Sequence, residues 1–215
     1  MAKYNKETMI IDEFIKSPIK DNTLIFFSHF GRYFYASKAL NIGKEDCLLD
    51  VSCGEGYGTY SLSKLAKTTY GLDINEEYIK SARKNYYSNN DKYDIVNDNI
   101  TFLTYNDFYK YNSFTMVDKI VSIESFEHIP KDEIEEFIDK LMSKLKTGGS
   151  MFVTVPLGEN KPSDYNPFHC NEPNLQFVYD IFSKYFKKID VEIDSFVNSF
   201  NHECQYCYLI LKNKK

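Results

Sequence analysis

The chain has 215 residues, the length of one domain with at most a small appendage at about 150 residues per domain. Apolar residues make up 43% of it, with 18 Tyr and 17 Phe, which excludes intrinsic disorder and is ample for one core. The formal net charge is −5 and arginine occurs only at Arg32 and Arg83, so no basic face offers itself to a phosphate backbone and nucleic acid is disfavoured as a partner.

In chain order, Met9, Ile10, Phe14 and Ile15 form one helical stripe, and Leu24 to Leu40 form a second that ends before Gly43. Cys47 to Val51 reads as a strand, Tyr60 to Ala66 as a helix, Thr68 to Leu72 as a second strand and Glu76 to Tyr87 as a helix. Ile100–Leu103 and Lys119–Ile123 read as strands three and four, followed by a helix over Lys131–Leu145. Thr147-Gly148-Gly149 has the composition that closes a helix, with a fifth strand over Ser150–Val155. A helix over Asn174–Phe186, a strand over Ile189–Ile193 and a last strand from Cys204 complete the pattern. Alternation at this spacing predicts an α/β fold, a parallel sheet with helices on both faces. Ligands of such sheets sit beyond the carboxyl ends of the strands.

No apolar run is long enough to span a membrane, and Met1 to Glu7 lacks the pattern of a secretory signal. A cytoplasmic location is the expectation. Five cysteines do not suggest a disulfide framework. Cys204 and Cys207, three residues apart in a strand, should face opposite ways.

The sharpest motif is Asp50-Val51-Ser52-Cys53-Gly54-Glu55-Gly56-Tyr57-Gly58, between the first strand and its helix. Glycines there let backbone approach a ligand and expose N–H groups. A dinucleotide fingerprint would need glycine where Thr59 stands, which weakens the reading as an NAD-dependent dehydrogenase. The loop instead resembles motif I of the class I S-adenosylmethionine-dependent methyltransferases. Asp73 ends the second strand 19 residues after Gly54, where an acid can accept both ribose hydroxyls. Asn106-Asp107-Phe108 is similar to the family's adenine segment, with Asp107 accepting from the exocyclic amine and Phe108 covering the ring. Lys146-Thr147-Gly148-Gly149 is similar to the family's Lys-Pro-Gly-Gly turn, with Thr replacing Pro.

The resemblance covers roughly residues 25 to 212. It implies a Rossmann-like, mostly parallel seven-stranded sheet with its last strand antiparallel. It also implies S-adenosyl-L-methionine as cofactor and S-adenosyl-L-homocysteine as product. The cofactor residues it implies are Tyr33, Asp50, Ser52, Gly54, Gly56, Asp73, Ile74, Asp107, Phe108, Ser122 and Glu124. The helices before Gly43 form an N-terminal lid over residues 1–42 in this reading, and 43–215 form the cofactor domain.

After the fourth strand come Glu124-Ser125-Phe126-Glu127-His128, two carboxylates and an imidazole at a strand end. On a helical turn these three share one face, and such a set suits a divalent cation. The ubiquinone-pathway O-methyltransferases and the small-RNA 2′-O-methyltransferases hold a metal with a similar motif, the latter adding a later histidine, for which His169 stands here. The resemblance thus offers Glu124, Glu127, His128 and His169 as ligands of Mg or Mn. His128 or His169 is alternatively the general base, and the sequence does not choose. Phe27-Ser28-His29-Phe30-Gly31-Arg32-Tyr33 and Asn166-Pro167-Phe168-His169 resemble segments of bacterial methyltransferases of cell-surface polysaccharide and glycan biosynthesis, although Cys170-Asn171-Glu172 departs from that subgroup's Arg-Glu continuation. Arg32 and Tyr33 are candidates to meet the cofactor's carboxylate or an anionic substrate. Phe26, Phe27, Phe30, Tyr33, Phe34 and Tyr35 are either sugar-stacking or packed core. The expected activity is O-methylation of a small polar acceptor, such as a sugar of a surface glycan, by a monomer or homodimer. The rivals are a metal-dependent RNA 2′-O-methyltransferase and a regulatory protein that binds the cofactor without catalysis.

Overall fold

Each strand expected from the sequence is found in one seven-stranded sheet. The computed structural model describes residues 30–86, 98–110, 116–164, 166–197 and 203–215. The strands are β1 (Cys47–Val51), β2 (Thr68–Asp73), β3 (Ile100–Thr104), β4 (Val117–Ile123), β5 (Leu145–Pro156), β6 (Phe186–Val197) and β7 (Glu203–Lys214). Their order is β3-β2-β1-β4-β5-β7-β6. The first five run parallel, and β7 is antiparallel to both β5 and β6. This is the expected Rossmann-like architecture. The helices are α1 (Phe30–Ala39), α2 (Tyr57–Ser63), α3 (Glu76–Tyr86), α4 (Tyr105–Lys110), α5 (Ile134–Lys144) and α6 (Leu175–Ser183), with a 3-10 turn at Phe126–His128.

Strand side chains alternate faces, and both faces are covered. Leu48, Val121, Phe152 and Ile210 pack against Tyr33, Ala36 and Leu40 near α1 and Leu62 of α2. Their neighbours Leu49, Ile120, Val153 and Leu209 pack against Ile138 and Leu141 of α5 and Val178 and Phe182 of α6. Cys204 and Cys207 are free thiols of β7, and no disulfide joins them.

Local departures from the expected pattern have local causes. Gly56, at φ 87°, turns the chain so sharply that α2 starts at Tyr57, earlier than its apolar stripe suggested. The glycines after α5 do not cap it. Leu145 is fully buried and already extended, drawn into pairing with Val117, and Gly148 (φ 78°) belongs to a kink before Ser150 rejoins Lys119. β6 is longer than its apolar run because it is an edge strand whose charged residues, such as Lys188, Asp190 and Glu192, alternate along a full hairpin with β7. Asn174 caps α6 by accepting from the Phe177 amide at 2.8 Å.

The first helical stripe, His29, Phe26 and Phe27 lie outside the described residues, as does most of the 1–42 segment. The described part of that segment, α1, lies on a sheet face: Tyr33 is buried, Tyr35 donates to Glu192 at 2.7 Å and Phe34 is exposed. No helix among the described residues is long and apolar enough to cross a membrane.

Candidate functional site

Strand order reverses between β1 and β4, and ligands of such sheets bind in the crevice opened there. Each of these strands is followed by a left-handed residue that is not glycine, Ser52 (φ 57°) and Glu124 (φ 51°). Such residues cost about 1–3 kcal/mol and persist only where their surroundings hold them. Here Ser125 Oγ donates within 3.3 Å of the Val51 and Ile123 carbonyls, tying the two strand ends together. The Glu124 amide donates to the Thr154 carbonyl at 3.1 Å, and Thr154 Oγ1 donates to the Glu124 carboxylate at 2.8 Å. Beyond these ends opens a cavity of about 1070 Å³.

The glycine loop forms one wall. Gly54 N–H donates to Asp73 Oδ2 and Asn75 N–H to Asp73 Oδ1, both at 2.8 Å. Burial raises the Asp73 carboxyl, and the amides of Asn75, Gly54 and Ile74 pull it back toward the ionised form. Each oxygen keeps a lone pair for a further donor. A side chain at Gly58 would put its Cβ 2.0 Å from Cζ of Tyr33, so the close approach of α1 to α2 requires glycine there.

Asp50 lies behind this wall, fully buried, rather than on it. It accepts from Thr59 Oγ1 at 2.6 Å and Tyr33 Oη at 3.2 Å. Burial pushes its carboxyl up to about 7, although both hydrogen bonds oppose that and Asp73 adds to it. Thr59, the residue that breaks the dinucleotide fingerprint, is thus Asp50's nearest donor.

Of the other expected cofactor residues, Tyr33, Ser52, Gly54, Asp73, Ile74 and Glu124 line the cavity. Ile74 is 81% exposed, an apolar side chain standing in the opening. Gly56, Ser122, Asp107 and Phe108 do not line it. Ser122 is buried within the sheet. Asp107 stands 3.7 Å from Arg83 on the outer side, and Phe108 is fully buried in the core. The pair lies in the middle of α4, whose pitch turns successive residues apart; Tyr105, which opens that helix, lines the cavity. Arg32 also differs from expectation. It is 2% exposed, with its guanidinium 3.5 Å from Glu124 and 4.4 Å over the Tyr206 ring, so its charge meets a carboxylate of the protein.

The histidines line the same cavity, with His128 near enough to favour the ionised form of Asp73. His128 Nδ1 lies 2.9 Å from the Phe168 carbonyl, which fixes the proton on Nδ1 and leaves the Nε2 lone pair available. That Nε2 is 4.0 Å from Oε1 of the fully buried Glu127. His169 packs edge-on against His128, with ring centroids 5.0 Å apart. Its two nitrogens are both engaged. Asn166 Oδ1 accepts from the Phe168 amide, so Asn166 Nδ2 is the donor to His169 Nε2 at 2.8 Å. The remaining nitrogen, Nδ1, then donates to Glu172 at 2.7 Å. Glu127, His128 and His169 each bring one ligand atom within 4.8 Å of the others. Glu124, the fourth ligand expected, is outside that group and held by Arg32 and Thr154.

The family model described as mycolic acid cyclopropane synthetase matches residues 31–188. The chain belongs to that family, within the class I S-adenosylmethionine-dependent methyltransferases. A probable S-adenosylmethionine-dependent methyltransferase of Mycolicibacterium smegmatis is 28% identical over 131 residues, covering 59% of this chain and 46% of the relative. A probable fatty acid methyltransferase of Pseudomonas putida is 26% identical over 121 residues, covering 55% and 29%. The chain therefore spans less than half the length of these relatives. YcgJ of Bacillus subtilis has the same fold, with a TM-score of 0.65 at 14% identity, over 87% of this chain and all of that one.

Within this family frame, four supporting residues escaped the sequence reading. Thr59 holds Asp50, Tyr206 lies under Arg32, and Asn166 and Glu172 fix His169. The His-x-x-Glu spacing of 169 and 172 was the only local signal among them. Tyr206 comes from β7 and carries none, since its position against β5 is a property of the sheet order.

Proposed function

We propose that the chain transfers a methyl group from S-adenosylmethionine to a hydroxyl of a small polar acceptor, such as a sugar of a surface-glycan precursor. The donor supplies its sulfonium methyl and leaves as S-adenosylhomocysteine. The observation that carries this reading is one cavity bounded on one side by Asp73, oriented by two loop amides, and on the other by the bare Nε2 of His128.

In this reading Asp73 accepts the ribose hydroxyls. The Ser52–Gly54 backbone faces the amino-acid end, and Ile74 and Tyr105 take the adenine in place of Asp107 and Phe108. His128 Nε2 receives the acceptor's proton as oxygen attacks the methyl carbon. Such a base contributes about 10²–10⁴-fold, and Glu127 at 4.0 Å attracts the charge that forms. His169, held by Glu172 and Asn166, fixes the wall against which His128 packs. Alignment of donor and acceptor adds about 7–11 kcal/mol. Calorimetry with S-adenosylhomocysteine tests the reading. Saturable heat that Asp73→Ala abolishes is expected, and no heat with the unaltered chain overturns it.

The grouping of Glu127, His128 and His169 favours a second reading, in which His169 Nε2 exchanges its bond from Asn166 for a metal, the three would hold Mg or Mn, and the ion would lower the hydroxyl's pKa. Turnover lost in EDTA and restored by manganese would establish it, and turnover indifferent to EDTA excludes it.

A further inference from the structure

The charge of the cavity wall narrows the acceptor. Among the described residues, six carboxylates line the cavity (Glu55, Asp73, Glu124, Glu127, Glu133 and Glu136) against one ammonium, Lys140, which is itself 2.6 Å from Glu136. No arginine lines it; Arg32 sits behind Glu124 with 2% exposure. The donor offsets only one unit of this excess. It takes Asp73 through ribose hydroxyls, which are neutral, and its sulfonium, ammonium and carboxylate together carry one positive charge. Glu133 and the buried Glu127 both act on the Cys170 thiol beside His169, which puts them at the histidine end of the cavity, where the acceptor must enter to reach His128.

The same side presents aromatic faces. Phe168, whose carbonyl orients His128, is 53% exposed, and Phe137 and Tyr206 also line the cavity. Carboxylates interleaved with aromatic rings attract an ammonium group through charge and through the rings' negative faces. Among the described residues the one ammonium of the wall, Lys140, is already paired with Glu136, so the wall disfavours a phosphate or carboxylate headgroup. We propose that the acceptor is a cation, a hydroxyl-bearing amine such as an amino sugar or amino alcohol, its ammonium held between the exposed Glu133 and the ring of Phe168. This rests on the assignment of the cavity as the methyl-transfer site, and the two fail separately in the test below.

The test uses the full chain saturated with S-adenosylhomocysteine, in EDTA so that no metal ion supplies the positive charge. Ligand-observed NMR titrations compare choline with 3,3-dimethylbutan-1-ol, its uncharged isostere, and glucosamine with glucose and glucuronate. The expected result is about tenfold tighter binding of each cation than of its neutral counterpart, and weaker binding of the cations as salt is raised. Glu133→Gln should cut that preference roughly threefold and leave S-adenosylhomocysteine affinity unchanged. Equal or tighter binding of the neutral or anionic probes overturns the proposal, as does failure of both cations to bind while S-adenosylhomocysteine binds normally. Absence of S-adenosylhomocysteine binding instead overturns the site assignment beneath it.

Discussion

At the scale of single residues, His128 and His169 have the same chemistry and different circumstances. The carbonyl of Phe168 occupies one nitrogen of His128 and leaves the other bare, whereas Glu172 and Asn166 occupy both nitrogens of His169. His128→Ala should therefore lower turnover by about 10²–10⁴-fold. Its affinity for S-adenosylhomocysteine should stay within about twofold, because no cofactor contact is assigned to that ring. Single-turnover kinetics beside calorimetry check both halves, and unchanged turnover removes His128 from the chemistry. The identity of such residues was legible because strand ends and glycine spacing are local properties: Asp73 and Gly54 stand hydrogen-bonded on the cavity wall. The inward turn of Phe108 was not legible, since the sequence predicts no helix over Tyr105–Lys110, and it is that helix which sets the face each residue presents. Arg32 looked like an anion receptor until the fold set it against Glu124.

At the scale of elements, the contact of α1 with α2 joins the N-terminal helix to the cofactor loop. Tyr33 crosses the face of Gly58 to reach Asp50. Gly58→Ala must displace that ring and break its bond to Asp50. The expected cost is about 1–3 kcal/mol of stability, with weaker S-adenosylhomocysteine binding, both readable by denaturant titration and calorimetry. Gly43→Ala is the control. Its added Cβ would meet only Asp46 Oδ2, at an ordinary 3.8 Å, and stability should change by less than about 1 kcal/mol. The strands were legible in order along the chain because periodicity reports burial directly, whereas the six-residue α4 is too short to show a period. Boundaries slipped where tertiary pairing outweighed it, as when Leu145 left the helix for β5.

For the molecule as a whole, the buried carboxyl of Asp50 makes stability depend on pH. Its folded value of about 7 lies above the ordinary 3.8, so the native state holds a proton that the unfolded chain has released. This contribution is complete below about pH 4 and is lost as pH rises toward and through about 7. Thermal melts should show the unaltered chain losing more stability between about pH 5 and about pH 8 than Asp50→Asn. Equal slopes would remove Asp50 as the source. Positively charged donor in the cavity should flatten the dependence, since it favours the ionised carboxylate.

The place of β7 between β5 and β6 sets a timetable for biosynthesis. A ribosome delivers β6 before the strand that must separate it from β5. During that interval β5 presents an open row of amides and carbonyls, and β6 has no neighbour to pair with. A nascent chain that paired these two prematurely would have to part them again to admit β7. The charges spaced along β6, among them Lys188, Asp190 and Glu192, discourage that early liaison.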